Sequence, residues 1–373
     1  MRRMATYIHE LPDWPDLIWD QNALAPQLAD GRHRQGRLVG RLEAMGFGDQ
    51  DEAVLRTLTT DVLTSSAIEG EVLDADQVRS SVARRLGLDI GGLVPADRHV
   101  EGVVEMMLDA TRGFDRPLTD ERLFGWHAAM FPTGRSGMHR ITVGAWRTDA
   151  TSPMQVVSGP VGRERVHFEA PAAARLPDEM RAFLAWFNAD AAGGDPVMKA
   201  ALAHFWFVTI HPFDDGNGRI ARAIADMALA RADGSSRRFY SMSAEIRRQR
   251  DDYYRILEAT QRGTIDITPW MAWFLQCLGR AIDGAQATLG GVLDRSRVWE
   301  KLRGVAVNAR QRAMITRLLD GFEGKLTTSK WASLTKTSPD TALRDILPLV
   351  AAGVLVKSDA GGRSTSYALA SLD

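Results

Sequence analysis

The sequence predicts a mostly α-helical fold, in which a helical body carries one projecting β-hairpin and ends in three short helices and a second hairpin. Three observations lead there. Apolar residues recur at helical spacing through most of the first three hundred positions, with acidic or capping residues where these stretches begin. Met154-Gln-Val-Val-Ser-Gly-Pro-Val-Gly-Arg-Glu-Arg-Val-His-Phe168 holds two β-branched runs around Ser158-Gly-Pro-Val-Gly162, the one clear hairpin signal in that span. Beyond residue 308, three helical patterns precede Val354-Leu-Val-Lys357, a glycine turn and Ser364-Thr-Ser-Tyr-Ala-Leu369.

At 373 residues the chain has room for two or three domains, and 45% hydrophobic with 25% charged residues suits a globular core that forms without staples. Lysine plus arginine, 46, nearly cancel aspartate plus glutamate, 47. No global field therefore points to nucleic acid or to a membrane surface. The single cysteine, Cys277, lies in an apolar stretch; it excludes an intrachain disulfide and a cysteine-rich zinc site and is expected in the core. Met1-Arg-Arg-Met4 lacks an apolar signal-peptide core, and no apolar run reaches transmembrane length. A cytoplasmic protein with no membrane partner is expected.

Along the chain, Leu11-Pro-Asp-Trp-Pro15 and Trp19 punctuate the start, and a basic helix is expected from about Leu28 to Met45. The next helix, Asp51 to Glu69, opens on two acids and carries Leu55, Leu58, Val62 and Leu63 at helical spacing. Gly70 stands where a left-handed cap closes it. Glu69 then falls in the last turn, where the macrodipole disfavours an anion. It is either a solvated surface residue or one with a cationic partner elsewhere. A glycine-containing loop at 87–97 precedes helices at 98–112 and from Pro117-Leu-Thr-Asp-Glu121 through Phe131. After the hairpin, helices are expected at 176–191, 196–209, about 218–232, 243–261 and 268–283. The last three, at Arg310–Phe322, Ser329–Thr335 and Asp340–Ala352, join the second hairpin in a winged-helix outline. The expected division is an N-terminal helical region (1–90), a core (98–285) and a winged-helix domain (300–373).

The apolar helix at 196–209 runs to Ile210 and into His211-Pro-Phe-Asp-Asp-Gly-Asn-Gly-Arg-Ile-Ala-Arg222. A proline and two glycines within eight residues make a loop, and a helix restarts at Gly218 or Arg219. A glycine-rich turn feeding a helix N-terminus presents free N–H groups and a positive dipole end, which together bind anions. Arg219 and Arg222, three apart, project from one face of that first turn. Two cations there oppose the dipole unless polyanionic phosphate sits among them. Asp215 offers a hard oxygen of the kind that holds Mg²⁺ beside phosphates. His211 is the nearby side chain whose ordinary pKa suits proton uptake at neutral pH. Each feature alone has a plain structural reading: a helix-end histidine, a Gly-Asn-Gly turn, surface arginines, and Phe213 as an anchor for the loop. Together in twelve residues they compose a site for nucleotidyl transfer. Zinc held by His127, His204 and His211 is disfavoured, because no pair has a usual helical ligand spacing.

The run resembles the Fic motif, His-x-Phe-x-Asp/Glu-Gly-Asn-Gly-Arg-x-x-Arg, at every specified position: His211, Phe213, Asp215, Gly216, Asn217, Gly218, Arg219 and Arg222. The resemblance implies a Fic-type helical core that moves AMP from Mg-ATP to a Ser, Thr or Tyr hydroxyl of a target protein. It implies His211 as the base, Asp215 as the magnesium ligand and Gly216, Asn217 and Gly218 as the phosphate cradle. Arg219 and Arg222 would hold the remaining phosphates, Arg222 the γ-phosphate. The hairpin at 154–168 is similar to the family's flap, which docks the target by strand addition. Tyr253 and Tyr254 are expected either as walls of the adenine pocket or as core residues. Upstream, Ser65-Ser-Ala-Ile-Glu69-Gly70 resembles the family's inhibitory helix, here about 52–70. That resemblance implies that Glu69 pairs with Arg222 and displaces the γ-phosphate. Residues from Tyr7 to about Gly87 look like an uncharacterised N-terminal domain of one subgroup of these proteins.

Two other functions stay open at this point. One is an enzyme that mainly removes AMP, with Glu69 positioning water and His211 protonating the leaving hydroxyl. The other is a DNA-binding regulator built on the C-terminal domain. Residues 308–373 carry nine Lys/Arg against six acids, and the would-be recognition helix Asp340–Val350 offers one arginine, Arg344, beside acids. That is thin for phosphate and base contacts, and docking of a protein partner or a second subunit suits this domain better.

Overall fold

Helices begin where a side-chain cap stands ahead of an apolar stripe. In the computed structural model, Asp74, Asp97, Thr119, Asp195, Ser241, Thr327 and Ser338 each accept a backbone N–H from the first turn that follows them. The structure describes residues 6–43, 45–149, 152–160, 163–189, 194–319, 322, 324–358 and 365–370. Two compact units result, Met1–Ala285 and Gln286–Asp373.

In the first unit a 3₁₀ turn (Ile8–Glu10) leads to α1 (Gln21–Glu43), α2 (Phe47–Ile68), α3 (Ala75–Leu86), α4 (Arg98–Arg112) and α5 (Asp120–Met130). Two antiparallel hairpins follow, β1 (Arg135–Ser136) with β2 (His139–Arg140) and β3 (Gln155–Ser158) with β4 (Arg165–Glu169). Next come α6 (Leu176–Asn188), α7 (Pro196–Ile210), α8 (Asn217–Asp233), α9 (Met242–Arg248), α10 (Arg250–Gln261) and α11 (Thr268–Lys301), which belongs to this unit only as far as Ala285. The core lies between α7 and α8. Phe205, Phe207 and Ile210 on α7 and Ile220, Ile224 and Met227 on α8 are fully buried, each such side chain contributing about 1.5–3 kcal/mol.

Several boundaries differ from the sequence expectation. The first helix starts seven residues before Leu28, because the Asp20 carboxylate caps it through Ala23 N–H at 2.9 Å. Helix α3, with its Asp74 cap and left-handed Gly87 stop, stands in a stretch the periodicity left unassigned. The small β1–β2 hairpin adds to the one at 154–168, where a single hairpin was expected within the first three hundred residues. The helix expected over 243–261 is two, divided at Gln249, whose side-chain oxygen takes Arg280 at 2.7 Å while Arg280 also holds Glu245 at 2.8 Å. The helix expected to stop at 283 continues to Lys301 as α11, since Gly284, Gly290 and Gly291 do not interrupt the buried series Ile282, Ala285, Leu289, Val292 and Val298.

In the second unit α12 (Ala309–Leu319), α13 (Thr328–Thr335) and α14 (Pro339–Ala351) precede the antiparallel pair β5 (Leu355–Lys357) and β6 (Tyr367–Leu369). The residues between these strands, 359–364, lie outside those described. Met314, Ile315, Trp331, Ile346, Leu349 and Val354 form its core. Buried Asp345 takes Arg310 at 2.8 and 3.0 Å and Asn308 at 2.8 Å. Leu343 and Leu347, one turn apart on α14, are exposed by 38% and 53%. Among the described residues no helix is long and apolar enough to cross a membrane.

Candidate active site

The loop between α7 and α8 is built by its own residues. His211 ends α7 in a left-handed conformation, φ 52°, which costs a non-glycine residue on the order of 1 kcal/mol and persists only where the surroundings enforce it. Arg147, 3% exposed, enforces it: Nε donates to His211 O at 2.8 Å and the backbone N–H to Pro212 O at 2.9 Å. Phe213 is fully buried and stacks on His127 with ring centroids 4.3 Å apart. The Asn217 side chain closes the loop, accepting from Phe213 N at 2.9 Å and donating to Phe213 O at 2.8 Å. Gly216 caps α8 at φ 82°, and a Cβ there would also stand 3.0 Å from the Phe131 ring.

His211 Nδ1 lies 3.2 Å from Val208 O. A carbonyl can only accept, so Nδ1 carries the proton and Nε2 keeps its lone pair. Burial pushes the imidazole down to about 4, with the Arg147 cation adding to the shift. The ring is therefore neutral at physiological pH and can take a proton at Nε2. His127 and His204 are not gathered with it around a common point. His127 supports Phe213 and reaches Asp215 O at 3.2 Å, and His204 is buried against Tyr253 Oη at 2.9 Å. Among the described residues no group of three or more histidine, cysteine, aspartate or glutamate side chains is placed to hold a metal.

The two arginines project from the first turn of α8, and each meets a carboxylate from the end of α2. Arg222, 1% exposed, pairs with Glu69 at 2.7 Å, while its Nε donates to Ser65 Oγ at 2.9 Å and Nη2 to Ser65 O at 2.8 Å. A Cβ on Gly218 would lie 2.2 Å from Glu69 Oε1. The Glu69 carboxylate thus rests directly on the start of α8, where the N–H groups and the dipole attract an anion. Arg219, 5% exposed, pairs with Glu71 at 2.7 Å, lies 3.8 Å from Asp215 and covers the Phe131 ring at 5.1 Å. Glu71 is held from its other side by His99 Nε2 at 2.5 Å. The ion pair raises the His99 pKa, and Glu71 is lowered against its burial by His99 first and Arg219 next. Asp215 accepts from Ser136 Oγ of β1 and from Gly216 N–H at 2.5 Å. A polar cavity of about 520 Å³ opens here, bounded by Glu69, Glu71, His99, Ser136, Asp215 and Arg219.

Tyr253 is 1% exposed, among Trp270, Trp273 and His204, and is a core residue in this structure. Tyr254 is half-buried; its hydroxyl reaches Ile68 O at 3.4 Å and Arg250 lies 5.1 Å over its ring. Farther along the same two helices, Asp61 of α2 and Asp226 of α8 form a buried acidic pair. Arg238 Nη2 meets Asp226 at 2.6 Å, and Asp61 accepts from Ser241 and from Ser243 N–H. Burial, with Asp61 beside it, raises the Asp226 carboxyl well above the ordinary range.

Glu71, His99, Arg147 and Ser136 were not singled out by the sequence. Glu71 left one usable signal: two acids stand just past the end of a helix, matching in number the two arginines of the motif.

The fold and the site define a helical domain with an anion cradle at a helix N-terminus, closed by acids from a preceding domain. Residues 117–229 match the Fic/DOC family and residues 7–88 match a domain of unknown function, DUF4172. The chain thus contains a Fic/DOC domain behind a DUF4172 domain. It is similar to the protein adenylyltransferase Fic of Nematostella vectensis, 38% identical over 119 residues, which are 32% of this chain and 26% of that protein. The protein of the same name from Drosophila grimshawi is 35% identical over 105 residues, 28% of this chain and 20% of that one. The match therefore spans a fifth to a quarter of those relatives. In fold, the chain is similar to a Fic family protein from Desulfovibrio desulfuricans (TM-score 0.52, 21% identity, 92% of this chain and 96% of that one). A Fic domain-containing signalling protein from Bacteroides thetaiotaomicron gives 0.50 and 23%, over 69% of this chain and 97% of that one.

Proposed function

We propose that the chain transfers AMP from ATP to a hydroxyl side chain of a target protein, and that Glu69 restrains it. The observation that carries this reading is the crowding of two buried arginines, a glycine cradle and a neutral histidine with a free Nε2 around one helix N-terminus. In the reaction, the target hydroxyl oxygen bonds to the α-phosphorus, the bond from that phosphorus to the bridging oxygen breaks, and pyrophosphate leaves. His211 Nε2 takes the hydroxyl proton. Gly216, Asn217 and Gly218 with the α8 N-terminus hold the phosphates, and Arg219 and Arg222 neutralise their charge. Asp215 suits magnesium, its side chain being 40% exposed at the cavity edge and phosphate oxygens and waters being the usual remaining ligands. Bound there, the ion would offset charge on the polyphosphate.

Glu69 competes with the γ-phosphate for Arg222, and Glu71 competes in the same way for Arg219. Nucleotide binds productively once these acids turn aside. The exposed edge of β3, which among the described residues pairs with β4 alone, suits strand addition by the target. The test is labelled ATP with cell lysate. Glu69→Gly should label proteins well above wild type, and equal labelling by the two would remove the brake from the reading. A protein that mainly removes AMP would instead lose that hydrolysis on Glu69→Gly.

A further inference from the structure

We propose that the N-terminal turn at Tyr7–Glu10 positions the flap hairpin β3–β4 for its target, with Tyr7 as the positioning residue; this rests on the adenylyl-transfer reading above. The Tyr7 ring, 8% exposed, meets Phe168 of β4 edge-on at 5.2 Å. The Arg262 guanidinium of the α10 end lies 5.3 Å over the ring, and the His9 ring stacks on it at 5.9 Å. Arg262 in turn donates to β4 carbonyls, Val166 O at 2.9 Å and His167 O at 3.0 Å. His9 Nε2 donates to a third, Glu169 O, at 2.8 Å. Glu10 fixes the turn by accepting Tyr7 N–H at 3.1 Å.

These contacts have a direction. Their hydrogen bonds to the hairpin all fall on β4 while Val156 of β3 packs into the apolar cluster of Tyr7 and Phe168, and among the described residues β3 pairs with β4 alone. A two-stranded hairpin is marginal alone, so its orientation is set by what holds β4. The Tyr7–Phe168 pair and the Arg262 cation–π contact, each of modest strength, hold it through Tyr7, beside the His9–Phe168 edge contact at 5.7 Å. The N-terminal domain therefore touches the catalytic domain at two working points, the flap through Tyr7 and His9 and the phosphate cradle through Glu69 and Glu71.

The test uses the full chain carrying Glu69→Gly. Tyr7→Ala should speed amide exchange over residues 165–169 and lower labelling of lysate proteins about tenfold, equivalent to about 1.4 kcal/mol. Thermal stabilisation by Mg-ATP, and ATP consumption without protein substrate, should stay unchanged. Tyr7→Phe should restore labelling. Arg262→Ala, at an exposed position outside the N-terminal turn, should reproduce the effect if Tyr7→Ala folds poorly. Unchanged exchange over 165–169 in both variants overturns the proposal, as does a loss of Mg-ATP stabilisation in step with labelling. If the Glu69→Gly parent labels nothing, the adenylyl-transfer reading fails on its own, and the exchange data still decide whether Tyr7 holds the flap.

Discussion

Replacing Glu69 by glycine should make the protein less stable alone and more responsive to nucleotide. The substitution removes a 2.7 Å ion pair to an arginine that is 1% exposed. Arg222 is not stranded, because Ser65 keeps its Nε and Nη2. The loss is then one charge-assisted bond, about 1.5–3 kcal/mol, rather than the ~3–5 kcal/mol of an abandoned buried charge. At about 2–4 °C per kcal/mol for a domain of this size, Tm without nucleotide should fall by about 3–12 °C. The γ-phosphate must displace that same contact, so ATP should bind the variant roughly ten- to a hundredfold more tightly. At an ATP concentration a hundred times the variant's Kd, Mg-ATP should stabilise it by about 2.7 kcal/mol and wild type by only about 0.4–1.4 kcal/mol. Glu71→Ala should act in the same sense, with a smaller gain, because Glu71 is the more exposed of the two acids. Calorimetric scans of the three proteins with and without Mg-ATP measure every term. Equal gains from nucleotide in wild type and Glu69→Gly would refute the competition.

In the Glu69→Gly background, His211→Ala should cost a hundredfold or more in transfer, roughly the worth of a general base, while Mg-ATP stabilisation persists; undiminished labelling would sink the assignment. Asp215→Ala and, separately, EDTA on the Asp215 protein should each abolish labelling, and metal-independent transfer would leave Asp215 a structural partner of Ser136. Because burial holds free-enzyme His211 down to about 4, its base form is present above that value and lost as pH falls through it. The kcat/KM profile for ATP should accordingly show no His211 limb between pH 8 and 6, and a limb near the ordinary 6.5 would contradict the burial argument. The full chain should bind random duplex DNA no tighter than about micromolar at physiological salt, since α14 offers exposed Leu343 and Leu347 beside its one arginine; a nanomolar sequence-selective gel shift would overturn this.

The gathering of the motif residues around one helix N-terminus was legible in the sequence because they are neighbours in the chain. A helix that must stop at a proline, restart at a glycine and carry two arginines in its first turn writes all of that within twelve residues. The position of Glu69 at the wrong end of a helix left a surface residue and a paired one both open, and it was the resemblance of Ser65–Gly70 to an inhibitory helix that pointed to Arg222. What stayed hidden depends on partners far apart in the chain. Glu71 meets Arg219 148 positions later, and Arg147 shapes a histidine 64 positions away. Such contacts leave no periodicity. The division at Gln249 was equally invisible, because Arg280, which holds it, is on another helix. The β1–β2 hairpin, two residues per strand, is too short to show alternation.

The buried Asp61 of α2 bears on how the restraint proposed for Glu69 would be released. Asp61 is held by Ser241 and Ser243, beyond the Ser65–Arg222 contacts, so lifting the whole helix would break those bonds and take Ser65 and Glu69 from Arg222, at about 3–5 kcal/mol for the arginine alone. The helix is a fixed bolt. Only the few atoms past its end are free to act as a latch: Glu69 at 29% exposure, Gly70 in its left-handed turn, and Glu71 at 34%. A signal that lifted the proposed restraint would therefore have a small and solvent-facing target. It needs only to re-aim two carboxylates, and the rest of the N-terminal domain can stay where it is.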